Sequence, residues 1–136
     1  MDQVEREGEE KAMKDFSHYR KRDRVLIKMG FASYRDYLKS DLWQRVRREV
    51  FQRKGSYCFL CVEAPATEIH HCRYQRSDFL GKRIVGMFPL CGACHRAIEF
   101  DEFGAKLTVP EMRRAFNLAR VGRGRRLERL IPQRNF

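Results

Sequence analysis

Nowhere in the 136 residues do about 18 apolar side chains follow one another, so no membrane-spanning helix is expected. The opening MDQVEREGEE has no apolar core, which argues against a secretory signal and for an intracellular protein. Internal repeats are absent. Histidine is scarce, with four in the chain, and tryptophan occurs once. Acid is the minority charge: 18 Asp and Glu stand against 29 Lys and Arg, a net +11. The length fits one domain with a modest core, a size at which a staple adds useful stability.

The charge is unevenly placed. Residues 1–10 carry five acids against Arg6, net −4, so residues 11–136 must carry +15 to give the total of +11. Such a field on a small body favours a polyanionic partner, most simply nucleic acid; a soluble basic surface with no specific partner is the plainer alternative. Four of the five cysteines fall in two pairs, Cys58-Phe-Leu-Cys61 and Cys91-Gly-Ala-Cys94. Under reducing conditions paired CxxC units point to metal, and two converging pairs suit the four thiolates of a structural Zn²⁺ better than a redox site. Cys72 stands alone and reads as a free thiol.

Along the chain, residues 1–29 are charged and helical in character, with the first ten expected to be disordered. Gly30 breaks this segment. SYRDYLKSDLWQRVRREVFQRKG reads as one helix or two short ones, with Ser33 and Ser40 as caps and Leu42, Trp43, Val46, Val50 and Phe51 on one stripe. Gly55 ends it. The first CxxC forms a turn, followed by a β-prone run to His70 and His71. A polar loop spans Gln75 to Lys82, and RIVGMFPL is again β-prone. The second CxxC should open a helix that Gly104 closes. Pro110 marks the first turn of a helix to about residue 120, with Met112, Ala115, Phe116 and Ala119 inward. From Arg120 on, six arginines form a basic tail. The expected organisation is a helical arm (1–32), a zinc-knuckle unit (33–104), and a C-terminal helix and tail (105–136).

TEIHHC places two histidines side by side. On a strand, neighbouring side chains point to opposite faces, so His70 and His71 cannot share one task. His95 follows Cys94 directly, and three of the four histidines therefore fall within one zinc-stapled unit. The combination C58-x2-C61, H70-H71, C91-x2-C94-H95, preceded by YLKSDLWQRVRREVFQRKG, resembles the zinc-stapled HNH endonucleases over about residues 34–99. The resemblance implies an α+β fold: a small ββα-metal (His-Me finger) core with a four-cysteine zinc site, flanked by N- and C-terminal helices.

It also implies roles. His70 and His95 would be ligands of one catalytic divalent cation (Mg²⁺, Mn²⁺, Ni²⁺ or Zn²⁺), and His71 the general base that takes a proton from water. Glu99, one turn beyond His95 on the same face, is either a further ligand or an exposed helix acid. Arg73 and Arg76 would hold flanking phosphates. The partner would be DNA, the location cytoplasmic in a bacterium or phage-infected cell, and a larger nucleoprotein assembly is a possible setting; oligomeric state is open. Gly86 occupies the position of the family's central Asn, whose side chain braces the base. That departure leaves a non-catalytic zinc-stapled nucleic-acid-binding module, a degenerate HNH domain, as the alternative. A zinc-stapled protein–protein adaptor is a third.

Overall fold

The computed structural model describes residues 14–130; residues 1–10, expected to be disordered, and Arg134 of the basic tail lie outside that range. Helix α1 (Ser17–Lys28) ends at Gly30, whose φ of 98° turns the chain. The segment with two serine caps resolves into two helices. In α2 (Tyr34–Leu38) the Ser33 side chain accepts from Asp36 N, and in α3 (Asp41–Lys54) that of Ser40 accepts from Trp43 N. Each cap satisfies an otherwise orphaned amide of a first turn. Trp43, Val46 and Val50 form the buried stripe of α3, while Leu42 and Phe51 are only partly buried.

Two short antiparallel strands follow, β1 (Glu68–His71) and β2 (Met87–Leu90), with His70 opposite Phe88 and His71 opposite Met87. The period-2 alternation splits their side chains between two cores. Ile69 and Met87 join Trp43, Val46, Val50 and Phe79, whereas Phe88 and Leu90 join Leu60, Ile98 and Phe116. Helix α5 (Gly92–Glu99) starts at Cys91, whose Sγ accepts from Cys94 N. Helix α6 (Val109–Val121) carries a complete capping box between Thr108 and Glu111, with Pro110 in its first turn. The sequence is thus α+β, with a two-stranded sheet running into the helix that carries the second cysteine pair. No helix among the described residues is long and apolar enough to cross a membrane.

Two segments differ from expectation. Within the loop read as polar, α4 (Arg76–Phe79) buries Phe79 and Asp78. The Tyr37 hydroxyl donates to Phe79 O at 2.8 Å, and Arg73 pairs with Asp78 at 3.1 Å. Much of the stretch read as a tail is α7 (Arg123–Leu130). Arg123 Nε donates to Phe59 O at 2.8 Å and Arg126 Nε to Leu60 O at 2.6 Å, so the helix clamps the first cysteine turn through its carbonyls. The N-terminal helix is docked as well: Tyr19 packs on Val109 and Met112, and its hydroxyl donates to Leu107 O at 3.0 Å.

Candidate metal and active site

The two CxxC turns arrive from different directions. Cys58 and Cys61 sit on a turn held by Cys58 N→Ala64 O and Val62 N→Cys58 O; Cys91 and Cys94 open α5. Their four Sγ atoms lie within 4.8 Å of one another, with Cys61 and Cys91 Sγ 4.0 Å apart. Sulfurs about 3.8 Å apart are what tetrahedral Zn–S bonds of about 2.3 Å require. Burial opposes ionisation of Cys58, but the backbone amides of Cys61, Cys91 and Leu60 outweigh it and bring the thiol down to about 7. The donor set and spacing fit a structural zinc ion. Cys72 stays outside the cluster, and burial pushes its thiol up to about 11.

A second cluster forms from His70, His95 and Glu99, one ligand atom of each lying within 4.8 Å of the others. Glu99 Oε1 is 2.8 Å from His95 Nε2 and 3.4 Å from His70 Nδ1. Glu68, two residues before His70 on the same strand face, approaches His95 Nδ1 at 3.5 Å. Burial lowers the His70 pKa despite Glu99. Burial also acts downward on His95, but Glu99 and Glu68 outweigh it and raise that pKa. Glu99 is itself buried enough to favour protonation, yet its two imidazole partners hold the carboxyl well below the usual range. Two imidazoles and a carboxylate form a donor set suited to Zn²⁺, Ni²⁺ or Mn²⁺. Glu99, read as a further ligand or an exposed helix acid, is part-buried and lies beside both imidazoles. His70 is fully buried and its Nε2 has no hydrogen-bond partner among the described residues, the Phe116 ring centre standing 5.1 Å from its own.

His71 points to the other face, as strand alternation requires. It is 2% exposed and lies against Trp43, with ring centres 5.0 Å apart, and against Tyr34, Tyr74 and Phe79. Its Nδ1 is 3.4 Å from the Tyr34 hydroxyl and its Nε2 has no protein partner. Burial, reinforced by His70, drops its pKa to about 3, so the ring is neutral at physiological pH.

His71, His95 and Glu99 line one cavity of about 320 Å³, which Arg22, Arg47 and Lys106 also line. Arg22 stacks over Tyr34 at 4.2 Å, and Arg47 donates to Thr67 O at 2.8 Å. These cations come from α1, α3 and the loop before α6, and no spacing in the sequence connects them. Arg73 and Arg76 do not line this cavity. Arg73 is turned toward Asp78, and Arg76 is exposed on α4. Gly86 adjoins Met87, the cross-strand partner of His71; its carbonyl accepts from Cys72 N, and a Cβ there would stand nearest Arg73. The chain matches no family model, no curated protein and no solved structure.

Proposed function

We propose that the protein is a metal-dependent endonuclease of the HNH type, built on a ββα-metal core and acting on DNA. One observation carries the reading: a two-histidine, one-carboxylate cluster opens onto the same cavity as a third histidine, His71, and three cations line that cavity. His70, His95 and Glu99 would hold a single divalent ion, which when bound supplies Lewis-acid stabilisation of developing phosphate charge. Arg22, Arg47 and Lys106 would bind phosphate oxygens by charge-assisted hydrogen bonds. Neutral His71 has one nitrogen free to accept a proton. With Nδ1–H donated to the Tyr34 hydroxyl oxygen, that acceptor is Nε2, the atom no protein group satisfies. Attack by water on phosphorus breaks the bond to the 3′ oxygen and leaves 5′-phosphate and 3′-hydroxyl ends.

The non-catalytic nucleic-acid-binding module is the second reading, favoured by the near-complete burial of His71 and by Gly86 at the family's Asn position. Plasmid nicking by wild type and His71→Ala, each with Mg²⁺, Mn²⁺, Ni²⁺ or EDTA, separates the two. The expected outcome is metal-dependent nicking by wild type and a loss of about 10²-fold or more in the variant, the usual worth of a general base. Absence of nicking with every metal, from zinc-holding protein that still binds the plasmid, would establish the binding module.

A further inference from the structure

A larger cleft, of about 520 Å³, opens between the loop end of the hairpin and α6 and shares no lining residue with the histidine cavity. Arg113, Phe116 and Arg120 face it from α6 at helical spacing, and Arg73 closes it from the segment after β1. Among the described residues no carboxylate lines it. Arg73 spends one amino group on Asp78, but its Nε is buried without an acceptor. Arg113 spends only Nε, on Cys72 O at 3.2 Å, and Arg120 makes no hydrogen bond among the described residues. Lys54 adds charge at the wall, where it donates to the carbonyls of Val85 and Met87. Arg113 and Arg120 are exposed and free to turn toward an anion, and an acceptor in the recess would also satisfy the buried Arg73 Nε.

Apart from Asn117, the remaining wall is apolar. Val85 is 63% exposed and Phe88 is half-buried, with the Arg120 guanidinium 5.8 Å from its ring centre. Gly86 keeps the space between them open. A Cβ there would stand 3.4 Å from Arg73 Nε and 3.9 Å from Cys72 Cβ, so an Asn at this position would project into the cleft's rim. A third recess shares Arg22 and Tyr74 with the histidine cavity and Arg73 and Arg113 with this cleft, and so adjoins both.

We propose that this cleft binds a nucleotide, its phosphate on Arg113, Arg120 and Arg73 Nε and its base against Val85 and Phe88. Guanidinium forks match phosphate geometry, aromatic and apolar walls accept any base face, and the volume is that of a small-molecule site. The nucleotide is either free or one unit of a strand that runs along the basic recess from the histidine cavity. The proposal holds for a nuclease and for a catalytically silent module alike.

The test is calorimetry on zinc-loaded full-length protein with thymidine 5′-monophosphate, inorganic phosphate, thymidine and a short oligothymidylate. Iodoacetamide labelling of Cys72, which lines the cleft, is read in parallel by mass spectrometry. The monophosphate should bind more tightly than phosphate or thymidine and slow labelling of Cys72. Its affinity should fall about tenfold or more in Arg113→Gln/Arg120→Gln, through lost charged hydrogen bonds, and in Gly86→Asn, through a side chain projecting into the rim. His71→Ala should bind it as wild type does, which separates this result from the fate of the nuclease reading. An oligonucleotide far tighter than the monophosphate identifies a strand as the source; equal affinities identify a free nucleotide. Inorganic phosphate binding as well as the nucleotide, unchanged affinity in both variants, or unprotected Cys72 would overturn the proposal.

Discussion

Two residues with left-handed backbone conformations carry opposite consequences. Gly81 has φ 74° at the end of α4, and a Cβ there would come within 2.8 Å of Val46 Cγ2, a fully buried side chain of α3. Gly81→Ala therefore adds left-handed strain of about 1–2 kcal/mol and an overpacking cost of similar size. A fall in melting temperature of several degrees should result; an unchanged melting curve would mean that the α4 turn shifts freely. Val62, in the first cysteine turn, has φ 58°, which a β-branched residue adopts at a cost. Relief of that strain in Val62→Gly offsets the greater unfolded-state entropy of glycine, so that variant should melt close to wild type. Functional residues divide in a similar way. Each CxxC pair and the His95–Glu99 pair were legible because chain spacing itself brings their members together, on turns and one helical repeat; His70 entered through the resemblance, and the fold sets it beside them. Arg22, Arg47, Lys106 and Tyr34 were not, because each reaches the cavity from a different element and only the packed fold makes them neighbours.

Among the elements, caps and stripes were readable and the short or charged helices were not. Ser33, Ser40 and Thr108 each accept a first-turn amide, a local chemistry that sequence states directly. Four residues of α4 have no helical period to read, and the buried Phe79 and Asp78 are secured by Tyr37 and Arg73 from outside it. The arginines of α7 resemble a solvated tail until Arg123 and Arg126 meet the carbonyls of Phe59 and Leu60. Those carbonyls belong to the first cysteine turn, so α5, the turn and α7 all depend on the four-thiolate cluster. Structural zinc contributes about 10–16 kcal/mol in small metal-folded units, against a total stability of about 5–15 kcal/mol for a domain. A zinc ion held by the four thiolates would therefore decide whether this half folds. A strong chelator, or Cys61→Ser, should abolish the cooperative melt and lower far-ultraviolet ellipticity, with recovery of the chelated protein on addition of one equivalent of Zn²⁺. Unchanged ellipticity in metal-free protein would show that the thiols pack as ordinary core groups.

At the scale of the whole molecule, the +11 charge predicts salt-sensitive binding to DNA, but not every arginine that contributes to it is available. Arg123 and Arg126 are committed to the cysteine turn, so deletion of residues 121–136 would weaken binding partly by loosening the fold. Arg125 and Arg129 lie exposed on α7 and hold no carbonyl among the described residues. If both contact phosphates, each contributes about 0.9 to the slope of log affinity against log salt on duplex DNA. Arg125→Gln/Arg129→Gln should then flatten that slope by about 1.8 and leave the melting temperature unchanged, since exposed charges without partners contribute little to stability. Arg123→Gln should do the reverse, lowering the melting temperature through the loss of a part-buried donor to Phe59 O while barely moving the slope. A slope identical to wild type in the Arg125/Arg129 variant would confine DNA contact to the histidine cavity and the cleft beside α6, and leave α7 a purely structural clamp.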